Sequence, residues 1–464
     1  MPSGVISSCS GVLRNQGSAR VYWISKTIHS IRRFRRRTLL LLAALGPGII
    51  TMVADNDAGG ISTYAQTGSK TGFSLLWAFI ILVPMAYYVQ EMTVRLGAVT
   101  KRGHAEAIFD GFGKFWGWFS IFDLAVINWL TIVTEFIGMT QAMRIFNVPE
   151  WITCVGVTVL MTVIVISGRY WTFEKITLFF CFFNLVYIPA AFWAMKTGNV
   201  NEGWLAVGKG FWPSTHAGLG GAALVTLVMA NIGTTITPWQ IFFQQSAVVD
   251  KGMDIRDIKY GKIDTFVGSL TTCIVAAFII IATAGVFFYH PGSKIAVESA
   301  AQAADQMPYV MPAGTHWGQW AKVLFAIGLF DAGLLGALCI SLSTSWALGE
   351  VFGLAHSLNK SVREAPWFYV AYVAMLLAAG IVSVVATVDV QNTITIFVQV
   401  VAVTLLPAAL VFLILLLNDK DLMGSHTNTR WQNIANWSIV AFVITVSTLY
   451  GVSILFPDLF SFGT

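Results

Sequence analysis

The chain has 464 residues, of which 56% are hydrophobic and only 11% charged, and its mean hydropathy is +0.71. Soluble globular proteins average about 25% charged residues, so a water-soluble domain is excluded, and so is a disordered chain, which lacks apolar mass. A net charge of +5 does not point to nucleic acid here, because the basic residues cluster beside apolar runs, where anionic lipid headgroups and topology account for them.

Residues 1–38 hold eight basic residues and no acidic one, ending in Arg32, Arg33, Arg35, Arg36 and Arg37. The apolar run that follows continues into Asp55 and Asp57 without a small-residue cleavage site, so the stretch reads as a retained, mostly disordered cytoplasmic tail rather than a signal peptide. Eleven apolar runs then follow, near residues 39–67, 73–94, 114–143, 151–168, 173–195, 219–248, 263–289, 320–349, 366–387, 392–417 and 434–456. A span needs roughly 20 apolar residues, and lipid leaves only helix as the spanning form for such runs. With the tail inside, inner segments carry 22 Lys and Arg and outer segments 6. That bias places the N-terminus in the cytoplasm and the C-terminus outside, in a cell (plasma or inner) membrane. Trp171, Trp212, Trp317, Trp367, Trp431 and Trp437 lie near run ends, as interface aromatics do. The five cysteines show no CxxC or CxxH spacing and mostly read as small buried hydrophobes.

Two spans are interrupted. Span one reads GPGIITMVADNDAGGISTYAQTGS (46–69), with glycines and a proline flanking two aspartates; span six reads ANIGTTITPWQIFFQQS (230–246), with Gly233 and Pro238 among threonines and glutamines. Gly and Pro disfavour helix interiors, so each span is expected to unwind at membrane depth. Breaks five spans apart match two inverted five-helix repeats around a midplane site. The predicted fold is therefore an all-α polytopic membrane protein: a tail (1–38), a first repeat (39–195), a second repeat (219–417), and an eleventh helix (434–456).

Asp55, Asp57, Asp123, Glu135 and Asp331 fall inside apolar runs, with no Lys or Arg spaced to neutralise them. An ionised side chain at the bilayer centre costs about 2.5–3.5 kcal/mol on insertion scales. A carboxylate-rich, base-poor site calls for positive charge from a ligand: a metal cation, Na⁺ or a proton. Asp57, at the break, is the leading cation ligand. Asp55 either joins it or caps a half-helix. Glu135 and Asp123 are relay groups, vestibule acids, or protonated and hydrogen-bonded; Asp331 faces the same choice. Thr234, Thr235, Thr237, Gln240, Gln244 and Gln245 offer neutral oxygens, which hard cations prefer, unless the threonines bond back to their own helix. Met229, the nearest thioether, precedes Thr237 by eight residues, and soft sulfur is what favours transition metals. Gln399 on span ten is a further polar group, for the cavity or for an interhelical bond. Motifs of hydrolases and nucleotide-binding enzymes (GxSxG, HExxH, GxxxxGK[ST]) are missing, so neither an enzyme nor a resident cofactor is expected.

Span one resembles the first helix of Nramp divalent-metal transporters, with GPG, then Asp-Pro-Gly-Asn, then Gln-Ala-Gly-Ser. Asp57 falls on that family's metal-binding aspartate, and Gln66, Gly68 and Ser69 fall on its helix end. QVVAVTLLPAAL (399–410) is similar to the family's QVVLSLQLPFAL, with Gln399 on a polar cation-site residue; LFAIGLFDAG (324–333) also fits. The resemblance implies the leucine-transporter fold. It also carries departures: the Asn ligand falls on Gly60, the Met-Pro-His of span six on Thr237, Pro238 and Trp239, and the carbonyl-donating alanine on Thr234. In the span-three Asp-x-x-Glu, Glu135 stands but the Asp position is Ile132. The pattern is similar to the Nramp-related magnesium transporters. It implies import of Mg²⁺, with Mn²⁺ possible, by alternating access, the ion partly hydrated against Asp57, Asp55, Gly60, Thr234, Thr237 and Gln399, without proton coupling. The lipid bilayer and the ion are the expected partners, and no obligate protein partner is evident. The alternatives are a proton-coupled Mn²⁺/Fe²⁺ importer, a Na⁺-coupled organic-solute symporter on the same fold, and a non-transporting membrane scaffold.

Overall fold

Each apolar run becomes helix, and among the described residues there is no strand. The computed structural model describes residues 45–167, 169–197, 200–213, 221–289, 297–310 and 317–456. The tail at 1–38, the start of the first run, Cys9 and the Trp317 side chain lie outside them. The helices belong to one unit, Gly46–Thr464.

Span one is two helices, α1 (Pro47–Val53) and α2 (Ala58–Thr71). Span two is α3 (Trp77–Thr100), followed by a short connecting helix α4 (His104–Phe112). Spans three and four are α5 (Lys114–Arg144) and α6 (Glu150–Ile166). Span five is α7 (Tyr170–Phe183), a 3₁₀ turn (Asn184–Val186) and α8 (Tyr187–Thr197); α9 (Trp204–Gly210) follows. Span six again is two helices, α10 (Gly221–Gly233) and α11 (Pro238–Asp250). Spans seven and eight are α12 (Ile258–Thr283, continued by a π turn) and α14 (Trp317–Phe352), with α13 (Ala300–Val310) between them. Spans nine, ten and eleven are α15 (Pro366–Val385), α16 (Val388–Asn418) and α18 (Arg430–Leu455), the last after a four-residue α17 (Lys420–Met423). Eight of these segments are long and apolar enough to cross a bilayer by themselves. Glu150–Ile166 is shorter at 17 residues, and the two split spans complete the set.

The two splits have the same form. Ala54–Asp57 separates α1 from α2 and Thr234–Thr237 separates α10 from α11, four residues in each case. Each second half restarts behind a polar N-cap, Asp57 or Thr237. This repetition is what an internal inverted repeat produces.

Burial sorts the helix faces. Ile152, Val155, Val159, Val163 and Ile166 of α6 are exposed and recur about every fourth residue, a lipid-facing stripe. Trp171, Trp212, Trp367, Trp431 and Trp437 are also exposed. Inside, α5 and α14 lie along each other, and α12 packs on α1. Cys154, Cys181, Cys273 and Cys339 are buried, unbridged thiols. Asp123 is only partly buried. Its neighbours Phe119 and Phe122 on α5 are exposed, so that face of the helix looks outward rather than into the bundle.

Between spans two and three, α4 carries a fully buried histidine. His104 Nδ1 lies 3.2 Å from Gln245 Oε1 of α11, and its ring meets Phe242 edge-on at 4.7 Å. Burial pushes this imidazole down to about 4 from its usual 6.5. It is therefore neutral when folded, and its contribution is complete above about pH 6.5 and lost as pH falls towards 4. At 1.36 kcal/mol per unit this contributes about 3 kcal/mol. Thermal unfolding of the detergent-solubilised chain is expected to drop steeply between pH 6.5 and 4.5, and His104→Gln to flatten that slope; an unchanged slope contradicts the assignment.

Candidate metal-ion site

The two breaks meet at the centre of the bundle, where Asp55, Asp57, Thr234, Thr237 and Gln399 are all buried. Broken helices bring C-terminal carbonyls to a site, but also positive N-terminal ends. Asp57 answers the second problem at α2. Its Oδ1 accepts the Gly60 amide at 2.5 Å, capping the half-helix, while Oδ2 has no hydrogen-bond partner. The capping role thus falls to Asp57, not to Asp55 as the sequence alternative had it. Two residues earlier, Asp55 Oδ1 accepts from Thr237 Oγ1 at 3.2 Å, and its Oδ2 is likewise without a partner. The unwound backbone lets both carboxyls approach the second break, which a regular helix would prevent.

Gly60 lies where these groups converge. A Cβ added there would sit 3.2 Å from the Asp55 carbonyl oxygen, 3.2 Å from Asp57 Oδ1 and 3.5 Å from Thr234 Cβ. Opposite, Gly233 leaves no room for a side chain beside the Gln399 carbonyl oxygen, so α10 and α16 touch backbone to backbone. Gly59 similarly admits the Gln399 amide, whose Oε1 and Nε2 are both buried without partners. Buried polar atoms are nearly always satisfied. Four orphaned ones on Asp55, Asp57 and Gln399 therefore mark a place for a ligand with its water.

The threonines divide. Thr235 Oγ1 bonds back to the Asn231 carbonyl at 2.9 Å. Thr234 Oγ1 lies 3.0 Å from the Asn231 carbonyl and 2.9 Å from Tyr64 Oη. Thr237 makes a capping box with Gln240, whose Oε1 accepts the Thr237 amide at 3.0 Å. Gln244 and Gln245 point elsewhere. Gln244 donates to Thr265 of α12 at 2.8 Å and Gln245 to the Arg102 carbonyl at 2.9 Å. Met52 packs its Cβ towards Gly268 of α12, and the buried Cys273 thiol of α12 lies within electrostatic range of Asp55. Trp239 is buried, and its carbonyl accepts from Ser343 Oγ at 3.1 Å.

Glu135 reaches the site from α5. Its Oε2 accepts the Ala58 amide at 2.9 Å. Its carboxyl meets that of Asp57 within hydrogen-bonding reach, and Gly336 of α14 packs against both: a Cβ at that glycine would meet Glu135 Oε2 at 2.9 Å and Asp57 Cβ at 3.1 Å. Asp331 is a different case and belongs to a cluster with span five, where Asn184 Nδ2 lies 3.4 Å from its Oδ2.

Sequence reasoning missed Tyr64, Thr134 and Asp264. Tyr64 and Thr134 read as ordinary span residues. Asp264 stands one residue inside its apolar run, so it looked like a loop acid. In the structure it is buried, and it accepts the amides of Gly46 at 3.1 Å, Gly48 at 2.6 Å and Ile49 at 3.3 Å, anchoring the start of α1 to α12. Beside it, the Glu174–Lys251 ion pair at 2.6 Å is buried on both sides. Among the described residues no cluster of three or more His, Cys, Asp or Glu is placed to hold a metal. The groups gathered at the two breaks are carboxyl, hydroxyl, side-chain amide and main-chain oxygens, unlike the His/Cys cages of structural metals.

Away from the breaks, a cleft of about 860 Å³ is lined by Gln66, Lys70, Thr226, Glu298, Asp389 and Asn392, among others. It lies between α2, α10 and α16. The hydrogen bond from Asn231 Nδ2 to Thr67 Oγ1, at 2.8 Å, crosses between α10 and α2 one turn above Thr234.

Comparison with known proteins agrees with this architecture. The profile of the natural resistance-associated macrophage protein-like (Nramp) family matches residues 48–453. A protein of Listeria innocua named divalent metal cation transporter MntH is 25% identical over 414 residues, 87% of this chain and 88% of its own length. A MntH of Staphylococcus haemolyticus is 24% identical over 463 residues, covering 97% of this chain and 100% of its own. Among solved structures, a manganese transporter of Eremococcus coleocola, in complex with an aromatic bis-isothiourea substituted compound, superposes with a TM-score of 0.72 at 22% identity, over 89% of this chain and 86% of that one. MhsT in complex with L-phenylalanine superposes at 0.56 with 14% identity, over 89% and 97%. The fold is the leucine-transporter fold, and the protein is a multi-pass membrane protein, not an enzyme. With the profile running from the first residues of α1 nearly to the end of α18, the chain belongs to the Nramp family.

Proposed function

We propose that the chain imports a hard divalent cation, Mg²⁺ with Mn²⁺ as a second substrate, by alternating access around Asp57, Asp55, Gly60, Thr234, Thr237 and Gln399. The observation that carries this reading is a pair of carboxyls with one orphaned oxygen each, beside Gly60 and the hydroxyl of Thr237. Mg²⁺ holds its water tightly and is usually bound with several waters attached. Gly60 supplies no side-chain ligand, so the coordination positions beyond Asp55 and Asp57 fall to water. Two charges crossing 100 mV gain about 4.6 kcal/mol, so entry down the potential needs no coupled ion. The setting is the plasma or inner membrane, with the N-terminus cytoplasmic and the C-terminus external.

A proton-coupled manganese importer is the second reading. The name of the manganese transporter supports the ion, and Glu135, whose carboxyl meets that of Asp57, supports the coupling. Donor chemistry separates the two. By calorimetry the chain is expected to bind Mg²⁺ and Mn²⁺ and to bind Cd²⁺ weakly. Thr237→Met is expected to raise Cd²⁺ affinity about tenfold or more, since thioether suits soft ions, while loss of the capping box costs about 1 kcal/mol of stability. Tight Cd²⁺ binding by the unaltered chain, or Mn²⁺ binding without any Mg²⁺ binding, counts against the magnesium reading.

A further inference from the structure

Span five does not run through the bilayer as one helix. It tightens into a 3₁₀ turn at Asn184–Val186, between α7 and α8. Mid-helix 3₁₀ turns are uncommon and mark strain or function. Against this turn α14 places Asp331, 5% exposed and beside Asn184. None of the ion pairs among the described residues involves Asp331. Two further polar atoms close by have no partner: Asn184 Oδ1 and Tyr187 Oη, both on fully buried residues. Tyr187 Oη lies over Gly328, one helical turn from Asp331 on the same face of α14; a Cβ there would come within 2.7 Å of it. The thiol of Cys181 is buried on the preceding turn of α7.

We propose that Asp331, Asn184 and Tyr187 form a monovalent-cation site, for Na⁺, between spans five and eight. The central chamber holds two carboxyls and suits a doubly charged ion; this cluster holds one, and its charge matches a singly charged one. All its donors are oxygens, the choice of hard ions. A proton on Asp331 would satisfy one acceptor and leave the others orphaned, whereas a metal ion takes several lone pairs at once. The site connects to the chamber through α14, because Gly336, which abuts Asp57, follows Asp331 by five residues, about 7–8 Å along the axis.

The test is ²²Na⁺ binding by the purified full-length chain in detergent, together with its melting temperature in NaCl and in choline chloride. The unaltered chain is expected to bind ²²Na⁺ saturably and to melt higher in Na⁺. Asp331→Asn is expected to weaken binding at least tenfold and Asn184→Ala at least fivefold, while Asp57→Asn leaves ²²Na⁺ binding intact. Tyr187→Phe keeps the packing and removes only the oxygen, so it reports even if Asp331→Asn fails to yield monodisperse protein; a severalfold loss is expected. Absence of saturable Na⁺ binding, equal binding in the Asp331 and Tyr187 variants, or proton uptake with no Na⁺ effect overturns the proposal. Because Asp57→Asn removes the divalent site alone, failure here is distinguishable from failure of the divalent reading.

Discussion

Asp57→Ala is expected to reduce Mg²⁺ uptake into proteoliposomes to background, a loss of more than about a hundredfold. Removing one partner from a buried charged assembly costs about 3–5 kcal/mol, and here the same change strips the cap from α2. Asp57→Asn separates the two effects. Asparagine caps a helix as well as aspartate does, so this variant should fold and melt like the parent yet fail to take up the ion. Uptake by the parent should leave the lumen pH unchanged, since two positive charges entering down the potential need no proton; acidification in step with Mg²⁺ hands the site to the proton-coupled reading. Full uptake by Asp57→Ala removes the proposed site altogether.

The second large effect is at the start of span one. Asp264→Ala is expected to release α1 from α12. The carboxyl accepts three main-chain amides there, at Gly46, Gly48 and Ile49. Hydrogen bonds to charged groups contribute about 1.5–3 kcal/mol each, and a seven-residue helix has little stability of its own. Hydrogen–deuterium exchange across residues 46–53 should rise at least tenfold, and a cysteine introduced at Ile49 should become reactive from the cytoplasmic side. Unchanged protection would mean that the packing of Ile50 and Met52, and not the carboxyl, holds the half-helix shut.

Much of this was legible in the residues. Gly46, Pro47, Gly59 and Gly60 around two acids, and Gly233 with Pro238 among threonines, cannot sustain helix at membrane depth, and both breaks fall there. The distribution between Asp55 and Asp57 was not legible. It depends on where the second half restarts, and a shift of two residues exchanges cap for free acid. The same loss of phase hid the directions of Gln244 and Gln245, which follow from the rotation of α11 about its axis after the break. Asp123 misled because an apolar run shows that a helix spans, not which face looks outward. Asp264 was invisible for the opposite reason: an acid at the edge of a run looks solvated unless a helix terminus from 216 residues away arrives to use it.

The chamber draws its walls from both halves of the chain, with Asp55 and Asp57 early, Thr237 midway, and Gly336 and Gln399 late. A ribosome therefore delivers the acids to the membrane long before the residues that shelter them. The newborn first half must wait with uncompensated carboxyls among lipids or beside the insertion machinery until span ten arrives. Assembly of this protein is for that reason a late event, and any shortened product ending before span ten would expose to quality control the same unpartnered acids that the full bundle buries.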